Sequence, residues 1–536
     1  MNHLTYTFAA ALVAFSLTLP DLSILQDGAV SQPASKPAVE SQPANPFAWP
    51  VETAAKRIPT RRTQGNVVIT NATVIPVSSP ASERASILVR GGKIAAIGTN
   101  ITIPEGSAVI DARGMYVVPG AMDCHSHLAI EGDVNEGSDS ITAECKIGDV
   151  INPDDLSIYR ALAGGCTSAR LLHGSANAIG GEHAIIKLKW NRTAQDLLLT
   201  DAKRGIKFAL GENPKRSNGR DPNRPLRYPA TRMGVEAVIR RSFDEAKDLI
   251  QQKKDDLEKI SRGEFVPPRR RDSRLETLAS ILSGDVDIHS HCYRSDEILM
   301  LLETADHYGI KVKTLQHVLE GFKVAPEIAL HGAGASTFSD WWAYKMEAYD
   351  ATPYNAALMV RAGVNVTINS DSAELIRRLH LDSGKSIRYG MLTVDECLSL
   401  VTLNTAMQLG IEKRMGSIEV GKDADLAIFD AHPLSVEAKC IYTLVDGEIE
   451  FERTDAFANL AAELLKLRKE GPASKPAYAA TTPWAKTPAI PSPPLEKIAI
   501  IRATVVPVSG PAIADGTVII EDGRITAVGP ALPAPT

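Results

Sequence analysis

Residues 121 to 409 alternate short apolar runs with longer helical stretches, and this pattern restricts the possible folds more than any other feature of the chain. The predicted strands are the run that ends at His125 and those at 167–172, 184–189, 205–210, 286–290, 311–316, 335–338 and 365–369. A strand followed by a helix, repeated eight times, is typical of a parallel barrel whose active site lies at the carboxyl ends of its strands. The sequence therefore predicts an α/β fold with a (β/α)8 TIM-like barrel over residues 121–409.

Short apolar runs separated by turn residues flank this region on both sides. Residues 66–120 form a predicted meander, with Gly91-Gly92 as a hairpin turn, and residues 410–453 return to the same pattern. The simplest interpretation is that the two parts rejoin as one discontinuous, composite β-sandwich domain beside the barrel.

The ends of the chain have a different composition. Residues 1–27 contain an apolar run too short to span a bilayer comfortably, which favours a signal peptide and export to the periplasm or the extracellular space. An N-terminal anchor or a wrongly assigned start codon are the alternatives. Residues 28–65 read as a low-complexity linker, and residues 454–496 as a helix followed by a Pro/Ala-rich linker.

Residues 497–536 repeat the beginning of the β-sandwich. The run Ala503-Thr-Val-Val-Pro-Val-Ser509 matches Ala72-Thr-Val-Ile-Pro-Val-Ser78, and residues 517–529 match residues 86–98 without a gap. Either a second module is truncated here, or the extra strands are retained for packing. Strands without sheet partners have exposed edges, which favours truncation.

The overall composition indicates a small-molecule partner. A net charge of −6, with 44% hydrophobic and 23% charged residues, favours neither nucleic acid nor an anionic membrane as a partner, and no stable membrane span is expected. A homo-oligomer is compatible with such a barrel. The six cysteines lack the spacing of a disulfide scaffold, so we expect mostly buried thiols.

Histidines and other metal-binding residue types lie at the ends of the predicted strands. His125 and His127 project to the same side of one strand, and neutral imidazole is a common ligand for zinc-like metals. A second pair, His289 and His291, follows the same spacing. Further candidates at strand ends are Lys207, His317 and Asp371. Each could instead be solvated, buried in a core or a helix cap, but together they predict a metal centre.

These residues lie within motifs that resemble the amidohydrolase superfamily, in particular its imidazolonepropionase-like and prolidase-like members. The motifs are Val118-Pro-Gly-Ala-Met-Asp-Cys-His-Ser-His127, Gly165-Cys-Thr-Ser168, Gly174-Ser-Ala-Asn-Ala-Ile-Gly-Gly181, Gly211-Glu-Asn-Pro-Lys-Arg216, His317, Ser370-Asp371 and Gly416-Ser-Ile-Glu-Val-Gly-Lys-Asp-Ala-Asp425.

The resemblance implies the barrel with its composite β-sandwich and one or two divalent metals, with Zn²⁺ expected. The implied ligands are His125, His127, His289, His317 and Asp371. A carboxylated Lys207 would bridge two metals, and Glu212 is the alternative fourth-strand carboxylate. On the fifth strand His289 is the expected ligand, and His291 is expected to contact the substrate.

The expected reaction is hydrolysis of a C–N bond in an amide, cyclic amide or peptide-like substrate. A metal lowers the pKa of bound water towards ~7, giving a hydroxide nucleophile, and Asp371 would act as general base. His317 joins Asp371 as a catalytic residue by polarising the scissile carbonyl.

The residues expected to bind the substrate are less firmly fixed by the sequence. Asn177 and Gly180 lie in a glycine-rich loop that could hold a carbonyl or instead form a tight turn. Glu212 lies directly before an Arg/Lys-rich insertion between Asn213 and Arg274, and Arg216 lies within this insertion, which could bind a carboxylate or simply be solvated. A prolidase-like metallo-dipeptidase and a catalytically inactive binding module are the alternative functions.

Overall fold

The computed structural model describes residues 53–216, 227–454 and 497–533. The predicted signal peptide, most of the first linker and nearly all of the segment 454–496 lie outside these residues. The chain divides into two compact units, Met1–Phe457 and Ala458–Thr536. Within the described residues, none of the helices is both long enough and apolar enough to cross a bilayer.

The strands of the first unit are numbered in chain order. They are β1 (Val67–Val74), β2 (Ser82–Arg90), β3 (Lys93–Gly98), β4 (Ala108–Asp111), β5 (Tyr116–Pro119), β6 (Ala121–Ser126), β7 (Cys166–Leu171), β8 (Ile179–Glu182), β9 (Ala184–Lys187), β10 (Arg204–Ala209), β11 (Val286–Cys292), β12 (Val312–His317), β13 (Gly334–Thr337), β14 (Val366–Ile368), β15 (Leu426–Phe429), β16 (Cys440–Val445) and β17 (Glu448–Glu452).

The helices are numbered in the same way. They are α1 (Leu156–Ala163), α2 (Ala194–Leu197), α3 (Glu212–Arg216), α4 (Arg232–Ser261), α5 (Ser273–Leu282), α6 (Ser295–Tyr308), α7 (Ala325–His331), α8 (Asn355–Arg361), α9 (Leu379–Arg388), α10 (Val394–Ser399) and α11 (Leu403–Leu409). Short 3-10 helices lie at Ala54–Arg57, Ile147–Val150, Gly321–Lys323, Met346–Ala348 and Leu375–Arg378.

One eight-stranded sheet combines the two ends of the first unit. Its order is β17-β16-β15-β5-β1-β2-β3, and β4 also pairs with β1. Strand β5 joins the halves by pairing antiparallel with β15, for example Pro119 with Leu426. Buried side chains from both halves share one apolar cluster. Because β6 begins two residues after β5, this sheet fixes the start of the strand that carries His125.

The remaining strands form two sheets that carry the site. One has the order β14-β13-β12-β11-β10-β8 and the other β6-β7-β9. Strands β10 to β14 run parallel to one another, and β6 runs parallel to β7. They are buried almost throughout, because helices cover them.

The third of the eight predicted parallel strands differs from the expectation. Strand β9 pairs antiparallel with β7, and β8, directly before it, pairs antiparallel with β10. The physical reason is the connection, since the loop between β7 and β8 carries no helix in the structure. A parallel return needs a crossover of a dozen or more residues, usually a helix, so this shorter segment runs back along its neighbours.

A buried ion cluster joins β9 to the eight-stranded sheet. The Lys187 ammonium lies 2.8 Å from Asp423, 3.0 Å from Asp425 and 2.5 Å from Asp446. Lys189 makes a more exposed contact of 2.9 Å with Asp446. Since buried carboxylates need a counter-charge, the Lys187 ammonium is central to this junction.

The cysteines are all free thiols. Five of the six are buried, and Cys145 is half-buried. Burial raises the pKa of the Cys166 and Cys292 thiols. Thiols of this kind are unreactive and serve as small apolar side chains.

Candidate metal centre

Six residues, which we call the site cluster, meet at the carboxyl ends of the parallel strands. They are His125, His127, Lys207, His291, His317 and Asp371. His125 is the second-to-last residue of β6, and His127 directly follows this strand. Lys207 lies on β10, His291 lies on β11, His317 ends β12, and Asp371 follows β14. Parallel strands bring their carboxyl ends to one edge, and this explains the convergence.

The Asp371 carboxylate lies at the centre of the cluster. Its Oδ1 is 3.2 Å from His125 Nε2 and 3.0 Å from His127 Nε2, and its Oδ2 is 4.0 Å from His317 Nε2. Burial opposes ionisation of Asp371, but His317, His127 and Lys207 outweigh it and lower its pKa to about 2. Asp371 is therefore ionised at neutral pH.

Hydrogen bonds on the far side of two imidazoles set their orientation. His127 Nδ1 donates to the Leu172 carbonyl at 3.0 Å, and His125 Nδ1 lies 3.0 Å from Gln316 Oε1. These bonds leave the Nε2 lone pair of each ring facing Asp371. Such outer hydrogen bonds commonly orient metal-binding histidines.

The donor set fits a cation. His125 Nε2 and His127 Nε2 lie 3.2 and 3.0 Å from the same Asp371 oxygen, and imidazole nitrogens with a carboxylate oxygen are ligands that a zinc-like cation accepts. A proton on His125 is disfavoured, because burial and the neighbouring Lys207 lower the pKa of His125 well below its usual value. The ligand atoms of His125, His127 and Asp371 lie within 4.8 Å of one another, which is close enough for one ion.

Lys207 contributes an amine to the same cluster. Its Nζ lies 3.3 Å from His125 Nε2 and donates to the His173 carbonyl at 3.2 Å. Burial lowers the pKa of Lys207 to about 7, with Arg170 adding to the effect and Asp371 opposing it. A substantial share of the amine is therefore neutral near pH 7, and a neutral amine is the nucleophile that carboxylation requires.

His291, rather than His289, lies in the site cluster. The His291 ring is 4.8 Å from the ring of His317, its Nδ1 is 3.0 Å from Ser175 Oγ, and its Nε2 is buried without a hydrogen bond. The unpaired nitrogen is a donor atom without a partner among the described residues, which again fits a ligand.

His289 lies deeper between the strands. It is level with Lys207 in the β10–β11 register, contacts Arg170 through Nδ1, and its ring centroid lies 5.1 Å from that of His183. A lysine side chain can reach the site from that level, but an imidazole is too short. His291 lies two residues further along, about 6.6 Å higher at the usual rise per residue, and so reaches the site.

The other predicted substrate contacts have local partners instead. The Asn177 amide donates to Glu136 O at 2.7 Å and to Asp139 O and Thr142 Oγ1 at 2.9 Å. A Cβ on Gly180 would lie 2.7 Å from His173 Nδ1, so this glycine allows close packing. Both observations favour a structural turn, and the Gly174, Ala176 and Ile179 N–H groups of the loop donate to Val134 O, Asn135 Oδ1 and Ser140 O.

Glu212 and Arg216 lie on α3 at the edge of the described chain. Glu212 donates its backbone N–H to Glu347 at 3.0 Å, and its carboxylate shares neither a hydrogen bond nor an ion pair with the site cluster. Of the two fourth-strand candidates, the structure therefore brings Lys207 to the cluster. The role of Arg216, which borders the undescribed residues 217–226, stays a prediction.

The sequence analysis missed an aromatic wall beside the site cluster. Tyr293 stacks on His317 at 5.5 Å, Phe338 stacks on His317 at 4.9 Å, and Trp341 continues the stack at 4.4 Å from Phe338. Tyr344 donates to the Tyr293 hydroxyl at 2.6 Å. A signal for Tyr293 was present, because Tyr293 directly follows β11 and continues the two-residue spacing of His289 and His291.

Imidazoles and an ionised carboxylate at the carboxyl ends of parallel strands define a site of the class that binds a divalent cation. Comparison with known proteins gives the family. Residues 116–452 match the Amidohydrolase family. The chain belongs to this family, which confirms the resemblance seen in the sequence.

Individual relatives agree with this assignment. Amidohydrolase tasK from Hapsidospora irregularis is 30% identical over 428 residues, covering 72% of this chain and 43% of that protein. The chain thus spans less than half the length of this relative. Imidazolonepropionase from Mesorhizobium japonicum is 25% identical over 381 residues, covering 65% of this chain and 87% of that protein.

A solved structure shares the fold. The crystal structure of an amidohydrolase from Thermotoga maritima MSB8 is 30% identical and superposes with a TM-score of 0.66, covering 72% of this chain and all of that chain. The family has a TIM-barrel fold, in agreement with the mixed α/β content of the first unit.

Proposed function

We propose that this chain is a metal-dependent hydrolase that cleaves a C–N bond in an amide, cyclic amide or peptide-like substrate. The observation that carries the proposal is the convergence of His125 Nε2, His127 Nε2 and an ionised Asp371 on one point. Family membership and the imidazolonepropionase relative support the choice of bond.

The residues proposed to hold the metal differ from the sequence-based set at one position. His125, His127, His317 and Asp371 keep their proposed role, and His291 replaces His289 because of its height on β11. Lys207 is proposed as the fourth-strand ligand in carboxylated form. A second metal is proposed only with that modification, since the carbamate would supply the bridging anion.

When bound, a divalent metal such as Zn²⁺ supplies Lewis acidity, polarising a carbonyl oxygen and making a bound water more acidic. The chain's own residues supply proton transfer and orientation. Asp371, ionised and within 3.0 Å of His127, can accept a proton from water and deliver it to the leaving nitrogen. His317 is held between Tyr293 and Phe338, so its ring can contact a substrate carbonyl in a fixed orientation.

The surroundings of the site also support turnover. The stacked rings of Tyr293, Phe338 and Trp341 exclude water from one side. Exclusion of water strengthens electrostatic interactions with the reacting group. We further propose that the two site-bearing sheets close into one barrel beside a composite β-sandwich. The hydrogen bond from Asp371 N–H to the His125 carbonyl at 3.0 Å supports this closure.

Metal content and turnover of four forms of the full chain test the proposal. We would measure bound metal by elemental mass spectrometry and hydrolysis of a panel of amides, cyclic amides and dipeptides. The forms are the unmodified chain, His125→Ala, His291→Ala and the matched control His289→Ala. The proposal expects the two site variants to lose metal and turnover together, while the His289→Ala form keeps its metal.

The possible outcomes distinguish between the candidate functions and test the choice of metal ligands. Turnover restricted to dipeptides would favour the prolidase-like alternative, and metal without any turnover would favour a binding module. Loss of metal in His289→Ala with retention in His291→Ala would reverse the ligand assignment. Absence of bound metal from the unmodified chain after incubation with Zn²⁺ would refute the proposed function.

A further inference from the structure

The outer end of the aromatic wall is open to solvent beside the site cluster. Tyr293 and Phe338, which flank His317, are only 3% and 5% exposed, whereas Tyr344 is 48% exposed and Trp341 is half-buried. Large apolar side chains that stay exposed next to a group of convergent polar residues commonly mark a binding surface. The rings of Trp341 and Tyr344 therefore have area available for a ligand.

These two rings form a corner. The planes of Trp341 and Tyr344 are inclined at 85° with their centroids 6.0 Å apart, and Tyr344 meets Tyr293 at 67° and 6.3 Å. A flat ring placed in the corner would lie along the face of one ring and meet the edge of the other. Both are favourable aromatic geometries, so the shape of the corner favours an aromatic group over an aliphatic one.

The corner is fixed by contacts at both ends of the 339–349 loop. The Tyr344 hydroxyl donates to the Tyr293 hydroxyl at 2.6 Å. At the start of the loop the Asp340 carboxylate lies 2.6 Å from the Lys385 ammonium, and near its end the buried Glu347 carboxylate accepts hydrogen bonds. A surface that is already ordered loses little freedom when a ligand binds. The two rings are therefore suited to selecting a substrate by shape.

The corner lies next to the proposed catalytic residues. Tyr293, which bonds to Tyr344, is also the ring that stacks on His317. Burial raises the pKa of Tyr344 to about 12, and the negative charge of Asp371 adds to this effect. A carboxylate acts on a phenol in this way only when the two groups are close. A ring attached to a substrate held at Asp371 would therefore reach the corner.

The charge beside the corner is neutralised. The Lys345 ammonium lies 4.1 Å from the centre of the Tyr293 ring and 5.8 Å from that of Tyr344, but it also lies 2.7 Å from Glu347 Oε1. A substrate carboxylate that took Lys345 from Glu347 would leave a buried charge with one partner fewer. The corner therefore favours an uncharged ring over an acidic group.

We propose that Trp341 and Tyr344 determine substrate specificity by binding a flat, uncharged aromatic group attached close to the scissile C–N bond. The preferred substrates are thus amides or peptides of an aromatic acid or of an aromatic amino acid. This inference rests on the proposed function, since hydrolysis supplies the bond that the corner helps to position. It does not depend on the choice between His289 and His291 as a ligand.

Three carboxylates without a C–N bond measure the preference of the corner independently of turnover. They are phenylacetate, cyclohexylacetate and acetate, titrated by isothermal calorimetry into the full chain loaded with Zn²⁺. We expect phenylacetate to bind about 2–10-fold more tightly than cyclohexylacetate, because aromatic pairs gain energy beyond the area they bury. It should bind about 10–100-fold more tightly than acetate, which has no ring. A surface that was merely hydrophobic would prefer the cyclohexyl group instead.

Matched variants connect this preference to the corner. Tyr344→Ala removes one ring and should weaken phenylacetate binding about 3–10-fold while leaving acetate binding unchanged. Tyr344→Phe keeps the ring and loses only the bond to the Tyr293 hydroxyl, so it should bind phenylacetate more tightly than Tyr344→Ala. The control is Tyr349→Ala, since the side chain of Tyr349 is 70% exposed and has no ring contact with the aromatic wall among the described residues. Its affinity for phenylacetate should match that of the unmodified chain.

Turnover is measured with two matched pairs of substrates. Phenylacetyl-glycine against acetyl-glycine places the ring on the acyl side of the bond, and glycyl-phenylalanine against glycyl-alanine places it on the amine side. We expect at least one pair to show about a 10-fold or larger preference in kcat/KM for the aromatic member, and this preference should fall in Tyr344→Ala.

The outcomes separate this inference from the proposed function. Equal binding of phenylacetate and acetate, tighter binding of cyclohexylacetate, or an equal loss in Tyr349→Ala would overturn the inference. Hydrolysis without preference for the aromatic member of either pair would overturn it too and would leave the proposed function intact. Selective binding of phenylacetate without hydrolysis of any amide would support the aromatic ligand class and count against the proposed function.

Discussion

Replacing Lys187 with methionine should destabilise the first unit strongly. The ammonium is buried between Asp423, Asp425 and Asp446, at 2.5 to 3.0 Å, and methionine has a similar volume without the charge. Removing one partner of a buried ion pair typically costs about 3–5 kcal/mol. Since whole domains are stable by only about 5–15 kcal/mol, this loss should be easy to measure by urea unfolding followed by circular dichroism.

The same region provides a matched control. Lys189 contacts Asp446 at 2.9 Å but is more exposed, so Lys189→Met should cost less than about 1 kcal/mol. A double variant that adds Asp425→Asn to Lys187→Met should recover part of the loss, because it removes a buried carboxylate that no longer has its counter-charge.

The pH dependence gives a second measure of the same interaction. Burial opposes ionisation of Asp423, but Lys187, Lys93 and Arg414 outweigh it and lower its pKa to about 2. A lowered folded-state pKa stabilises above the ordinary value of 3.8, and this contribution is lost as the pH falls towards 2. The difference between unmodified chain and variant should therefore be largest at neutral pH and shrink on acidification. A loss in Lys187→Met no greater than in Lys189→Met, or one independent of pH, would refute the reasoning.

Three further perturbations follow from the site and its supports. Asp371→Asn should reduce kcat about 10²–10⁴-fold, which steady-state assays on the best panel substrate would measure, and a smaller loss would exclude proton transfer by Asp371. Gly120→Ala should lower stability by about 1–3 kcal/mol in urea unfolding, because the added Cβ would lie 2.1 Å from Thr167 Cγ2. Glu347→Ala removes a buried carboxylate that accepts hydrogen bonds from the Arg232 guanidinium and the Glu212 backbone N–H. The 339–349 loop should therefore become more sensitive to limited proteolysis than it is in the control variant Glu374→Ala, whose side chain is exposed.

The sequence was most informative where a short-range pattern determines geometry. His125 and His127 share one side of a strand because side chains alternate, and Asp371 lies beside them because parallel strands end at the same edge. Membership of the superfamily could likewise be inferred from the motifs.

The structure differs from the sequence-based predictions where a result depends on the position of a residue along its strand relative to neighbouring strands. It also differs where a result depends on contacts between residues far apart in sequence. The alternation that places His289 and His291 on one side does not tell which of them is level with the ligands on the neighbouring strands, so the choice between them could not be made from spacing. The direction of β9 depends on the absence of a crossover helix before it. The Lys187 cluster joins residues up to 259 positions apart, and no local pattern predicts such a pairing.

The pairing of β5 with β15 also affects the order in which this protein can be completed on the ribosome. Pro119 cannot pair with Leu426 until Leu426 has been synthesised. At about 5–20 residues per second, translation of the intervening residues takes about 15–60 s. During that time the edge of β5 stays open to wrong partners. Strands β15 to β17 are synthesised before residues 497–536, which repeat the sequence of β1 to β3. Strands β1 to β3 should therefore pair with their own partners before the repeat can compete for those partners.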